Sequence, residues 1–196
     1  MTGPHWMFVG LGNPGAQYHK TRHNAGFMAV QALADQARIP IERRNFAALT
    51  GSGRIQGQAV ILVLPQTYMN ESGRAVAALA HHYKIAPRKI LLVYDDLDFD
   101  LGLIKLKAQG SGGSHNGVNS VIQYLGLQTF SRLRIGIGPR PAPLSGEEFV
   151  LSPFAKAEVG LLKEVIAASV RALNLVLQKG LQTAMNEVNR KPLARN

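Results

Sequence analysis

The chain has 196 residues, no cysteine, 46% hydrophobic side chains, and 22 Lys and Arg against 12 Asp and Glu, for a formal charge of +10 and a sequence pI near 10.2. The lack of cysteine excludes disulfides, thiol nucleophiles and cysteine-ligated zinc, and no apolar run reaches the roughly 18 residues that a membrane helix needs. The cationic excess favours a polyanionic partner such as nucleic acid.

The opening MTGPHW has no basic start followed by an apolar stretch, so a cytoplasmic location is expected. Residues 6–11 read as a buried strand, Asn13-Pro14-Gly15 breaks it, and apolar spacing at helical period follows over 24–37. Strands are predicted at 47–54 and 59–64, and Gly51, Gly53 and Gly57 suggest that they form a hairpin. A helix over 71–83, a strand at 90–94, a strand at 103–107, a helix over 116–125 and a strand at 132–137 come next. Residues 139–153, PRPAPLSGEEFVLSP, read as an irregular stretch, either a connector or a lid beside a site. Helical patterns then cover 156–178 and 181–188, and a flexible basic tail is expected at 189–196. Alternating strands and helices with one hairpin predict an α/β protein, a single three-layer α/β/α sandwich around a twisted mixed sheet, in one domain spanning 1–196. Strand alternation puts Lys105 and Lys107 on one face of their strand, and Arg132 and Arg134 on one face of theirs, so two half-exposed strands should each carry paired cations.

Several chemistries can be weighed on these residues. Gly10-x-Gly12-x-x-Gly15, with Asp35 downstream, matches a dinucleotide fingerprint, but Pro14 and a polar run separate its glycines from the helix, and Asp35 lies within a helical pattern. No G-x-S-x-G occurs, which argues against a serine nucleophile elbow. His19 and His23 have ligand spacing, yet the turn residues before them argue against a common helix face. Asp96-x-Asp98-x-Asp100 begins like a calcium loop, but Lys107 stands where its bidentate acid belongs, and an exposed acidic turn is the plainer reading. His81 and His82 are adjacent on a helix, would diverge, and should cover surface or flank the core. His23 remains as a general base, because a neutral imidazole can take a proton from water near working pH. On spacing alone, Asp95, Asp96 and Asp98 compete as its orienting partner.

GLGNPG, then Tyr18 and TRHNAGF, then LPQTYMNESG, LLVYDDLD and GSHNGVNSVI with FSRLRIGIG together resemble bacterial-type peptidyl-tRNA hydrolases across nearly the whole chain. The resemblance implies hydrolysis of the ester between a peptide and the 3′-terminal ribose of tRNA, with water activated by His23, partnered by Asp95, and no metal or organic cofactor. It further implies that Asn13 tests whether the substrate's amino group is blocked, that Asn70 and Asn116 bind the tRNA end and polarise the ester, and that Met69 lines the peptide channel. Tyr18 and Tyr68 would contact the terminal nucleotide, and Lys105, Lys107 and Arg134 the tRNA backbone. Peptidyl-tRNA is the implied partner, the stalled large ribosomal subunit a further one, and monomer the default state. Gln109 and Ser114 stand where the resemblance leads one to expect glycine. A pure RNA-binding protein on the same fold is the principal rival reading, and a nucleotide-dependent oxidoreductase the second.

Overall fold

A computed structural model describes residues 6–190 of the chain. Its first strand, β1 (Trp6–Gly10), is buried along its whole length, which is why WMFVG shows no polar alternation. Trp6 and Phe8 point into one apolar cluster while Met7 and Val9 point into another, so β1 lies in the middle of a layered structure. Beyond β1 come α1 (Ala25–Ala37), β2 (Arg43–Asn45), β3 (Ala48–Ile55), β4 (Gln58–Pro65), α2 (Ser72–His82), β5 (Ile90–Asp100) and β6 (Ile104–Lys107). The chain continues through α3 (Asn116–Leu125), β7 (Ser131–Gly138), α4 (Gly146–Leu151), α5 (Val159–Lys179) and α6 (Leu181–Val188).

The strands form one seven-stranded sheet in the order β2-β3-β4-β1-β5-β7-β6. Its centre is parallel, through the pairs β4 with β1, β1 with β5 and β5 with β7, and both margins are antiparallel. The first cluster packs α1, α5 and α6 against one face, and the second packs α2 and α3 against the other. The mixed three-layer sandwich expected from the alternation of elements is therefore the observed fold, with the β3–β4 hairpin turning at Gln56 and Gly57, both at positive φ. No helix among the described residues is long and apolar enough to cross a membrane.

Three elements depart from expectation. β2 has no apolar residue and exists because its backbone pairs with β3. β5 does not stop at Tyr94 but runs to Asp100, pairing with β7 across a bulge between Asp96 and Asp100. The Asp96–Asp100 stretch is thus strand paired with β7 rather than a turn, with the Asp98 and Asp100 side chains exposed. Within 139–153 lies α4, started by a capping box in which Ser145 Oγ accepts from Glu148 N–H and the Glu148 carboxylate accepts from Ser145 N–H. Most of the tail expected at 189–196 lies outside the described residues. Asn189, within them, exchanges two hydrogen bonds of 2.9 Å with the backbone of Leu106 and ties the end of α6 to β6.

Candidate active site

His23 sits in a single 3-10 turn, Arg22–Asn24, that leads directly into α1. The turn can lie against β1 because glycines meet there: a Cβ on Gly10 would stand 2.5 Å from the carbonyl oxygen of Gly26. Gly10 and Gly12 of the glycine fingerprint thus serve close packing against α1, while Gly15 supplies a positive-φ turn. His23 Nδ1 lies 2.9 and 3.0 Å from the two carboxylate oxygens of Asp95, which β5 carries from the sheet centre. Against a carboxylate, Nδ1 carries the proton and donates, leaving Nε2 as the basic atom.

His115, just ahead of α3, reaches the same carboxylate, with Nε2 3.1 Å from Asp95 Oδ1. Its Nδ1 accepts the backbone N–H of Val118 at 3.2 Å and caps α3. That cap assigns the tautomer: the ring proton sits on Nε2 and is donated to Asp95. Asp95 is 2% exposed and receives both imidazoles. Burial alone would raise its pKa, but the two histidines more than offset this and hold it well below the ordinary carboxylate range. Burial lowers the pKa of His23, while the Asp95 charge and hydrogen bond raise it, and the net shift is upward from 6.5.

A cavity of about 840 Å³ opens over this group, lined among others by Asn13, His23, Tyr68, Met69, Asn70, Asp95, His115 and Asn116. Asn13, three residues past β1, is held at three atoms. Its backbone N–H donates to Asn24 Oδ1 at 2.8 Å, and its carbonyl accepts from Asn24 Nδ2 at 3.0 Å. Its Oδ1 accepts the N–H of Met69 at 2.8 Å. The Met69 bond uses one lone pair of the Asn13 oxygen and fixes which end of the amide is the donor, leaving both N–H groups of Nδ2 available. Asn70 and Asn116 are both exposed, in the turn before α2 and at the first residue of α3, and Tyr68 is 62% exposed. Those two helix starts are fixed to each other by Gly73 N–H, which donates to Ser120 Oγ at 2.9 Å. In the loop before His115, Gly110 and Gly113 have positive φ, whereas Gln109 and Ser114 are exposed, so glycine stands where the backbone requires it.

The cations gather beside this cavity. Lys105 lies opposite Arg134 and Lys107 opposite Arg132 in the β6–β7 pair, so all four share one face. The expectation of half-exposed paired cations fails at Arg132, which is 1% exposed. Its guanidinium stacks 4.2 Å over Phe130 and donates to the carbonyls of Phe130, Gln128 and Gly110. Arg132 thereby ties the glycine loop to β7. Arg134 lines the cavity but is ion-paired with Asp96 and Asp98, and its guanidinium lies over Phe99. Lys105 Nζ sits 4.6 Å over the same ring, outside the cavity lining, and Lys107 is exposed at the cavity wall.

Of the residues singled out in the sequence, the structure brings together His23, Asp95, Asn13, Tyr68, Met69, Asn70, Asn116, Lys107 and Arg134 around one cavity. Tyr18 is not brought there; it is half-buried in the turn Ala16–Tyr18, where its carbonyl accepts Thr21 N–H and Oγ1–H. His115 enters the site as a second donor to Asp95. Unforeseen are Asn24 behind Asn13 and the α4 wall formed by Gly146, Glu147, Val150 and Leu151. The signal for α4 was the S-x-x-E box at Ser145. His23, Asp95 and His115 also offer ligand atoms within 4.8 Å of one another, a set able to hold a metal ion. The ring nitrogens lie at hydrogen-bonding distance from the carboxylate, which suits shared protons.

The sequence matches the family described as peptidyl-tRNA hydrolase over residues 7–196. It is 46% identical over 185 residues to a peptidyl-tRNA hydrolase of Chloroflexus aggregans, covering 94% of this chain and 98% of that one. It is 47% identical over 181 residues to one of Exiguobacterium sibiricum, covering 92% and 98%. The crystal structure of peptidyl-tRNA hydrolase from Acinetobacter baumannii superposes with a TM-score of 0.91 at 38% identity, covering 99% of each chain. With sequence and fold agreeing over nearly its full length, the chain belongs to the peptidyl-tRNA hydrolase family.

Proposed function

We propose that the chain hydrolyses the ester joining a peptide's C-terminus to the 3′-terminal ribose of tRNA, with His23 as general base. The observation that supports this most is the fork of His23 Nδ1 on both oxygens of Asp95, which leaves Nε2 basic on a ring that lines an open cavity. Nε2 takes a proton from water, and the water oxygen attacks the ester carbonyl carbon. Amide N–H groups of Asn116 and Asn70 polarise the carbonyl and bind the tRNA end. When the tetrahedral species collapses, the ribose 3′-oxygen leaves and recovers the proton from the His23 imidazolium, whose charge Asp95 offsets. Positioned acid–base chemistry of this kind contributes about 10²–10⁴-fold.

Substrate selection follows from donors and acceptors. The Asn13 amide, its orientation fixed by the bond from Met69 N–H to its oxygen, can donate to the carbonyl of a blocked or peptidyl amino group. A free α-ammonium placed against those N–H groups would set donor against donor and gain no such bond. Tyr68 would stack on the terminal base, and Met69 would line the path of the peptide. The biological reading is recovery of tRNA from peptides dropped by the ribosome, in the cytoplasm and by a monomer, with the stalled large subunit as a further source of substrate.

The test is cleavage of N-acetyl-aminoacyl-tRNA and of unblocked aminoacyl-tRNA, with EDTA present, by the wild type and by His23→Ala. Cleavage of the blocked substrate alone, lost in His23→Ala, is the expected result. Binding of tRNA without turnover would leave a pure RNA-binding protein, and loss of wild-type activity in EDTA would point to a metal on His23, Asp95 and His115.

A further inference from the structure

Arg22 precedes the proposed base by one residue and points the other way, into the protein. It is 5% exposed. Its guanidinium carbon lies 4.3 Å from the ring centre of Phe149 on α4 and 4.8 Å from that of Phe154, so two aromatic rings flank one planar cation. Nη1 donates to the carbonyl of Ile137 on β7 at 3.2 Å, and Nη2 donates to Glu158, just before α5, at 2.5 Å. The backbone follows the side chain. Arg22 N–H donates to Ser152 O at 3.0 Å, and Thr21 forms an antiparallel bridge with Pro153. The turn that carries His23 is thus fastened to β7, to α4 and to the segment leading into α5 through one buried cation and its own backbone. While Phe149 faces Arg22, the residues Gly146, Glu147, Val150 and Leu151 of the same helix line the cavity.

We infer that Arg22 is a positioning residue for the reaction, one that seats the His23 turn and the α4 wall of the cavity as a unit. It touches neither substrate nor the reacting atoms. An arginine is required because lysine offers no planar face for two rings and no fork to reach both Glu158 and Ile137. The inference rests on the reading of His23 as the base.

The experiment measures kcat and KM for N-acetyl-aminoacyl-tRNA well below the unfolding midpoint, in wild type, Arg22→Met, Arg22→Lys and His23→Ala, with the folded fraction followed by circular dichroism. In Arg22→Met, kcat should fall by about 10²-fold with KM within about twofold, the pattern of a misplaced catalytic group. Arg22→Lys should recover only part of the loss. Wild-type kcat in folded Arg22→Met, a loss fully explained by unfolded protein, or full recovery in Arg22→Lys would each overturn the proposal. If Arg22→Met does not fold, Phe154→Leu removes one ring of the sandwich and should lower kcat with KM unchanged; unchanged kcat there overturns it equally. Full activity in His23→Ala would instead remove the base assignment on which the proposal stands.

Discussion

Asp95 accepts ring N–H groups from two histidines, His23 at Nδ1 and His115 at Nε2, and is almost wholly buried while doing so. A buried carboxylate left without donors would hold its proton, so the two imidazoles are what keep it charged. Its charge in turn keeps the His23 pKa above 6.5 despite burial. The consequence for activity has a definite sign. As the proposed base, His23 would work only when neutral, so turnover in the wild type should decline as pH falls through that raised value. In Asp95→Asn the stabilising charge is gone while burial still opposes protonation, so the acid limb of kcat/KM should move to lower pH. The amide also cannot accept from both rings through two oxygens, and the His23 tautomer loses its support, so kcat should fall by about 10²–10⁴-fold. A pH–rate profile of the two proteins decides this, and an acid limb that stays in place in Asp95→Asn would separate it from His23 titration.

At the scale of elements, α4 shows how a wall of the site can be short and still ordered. Its six residues begin at the reciprocal Ser145–Glu148 box and are held by Phe149 against Arg22. Losing an N-cap hydroxyl costs about 1 kcal/mol. Ser145→Ala should therefore raise local opening, with the amides of Phe149 and Ser152 exchanging hydrogen about fivefold faster while central-strand amides are unchanged. Equal acceleration in β1 would mean that α4 opens only with the whole protein. The same elements show what a sequence reveals. α3 and α6 were legible at both ends from their helical spacing, with Gly126 and Gly180 standing at their junctions. β5 was legible only to Tyr94, because Asp96, Asp98 and Asp100 look like a turn until Arg134 on the neighbouring strand supplies two of them with a counter-charge. Arg132 was misread for the same reason: alternation assigns it a face, but not the Phe130 ring and the loop carbonyls that bury it. In the site, the family blocks made His23, Asp95 and the asparagines legible. The three-point hold on Asn13 and the second donor to Asp95 depend on contacts between residues far apart in the chain.

For the whole molecule, an overall charge of +10 says less than where it is concentrated. β6 and β7 put Lys105, Lys107, Arg132 and Arg134 on one face, but they are not equivalent cations. Arg132 is buried, and Arg134 is matched by Asp96 and Asp98, so it can add little net charge to a phosphate site without giving up those partners. Lys107 is exposed on the cavity wall. If tRNA enters past this face, Lys107 should carry a phosphate contact whose formation releases a counterion. Lys107→Ala should then weaken binding to all tRNAs alike and reduce the slope of log affinity against log salt by about 0.7–0.9, the loss of one such contact. Lys163, an exposed cation on α5 behind the opposite face of the sheet, is the control, and its alanine variant should leave both affinity and slope unchanged. Filter-binding titrations across a salt series measure both quantities. An equal change in the two variants would show that binding responds to net charge alone, whereas a change confined to Lys107→Ala would fix the direction from which the tRNA backbone approaches the His23 cavity.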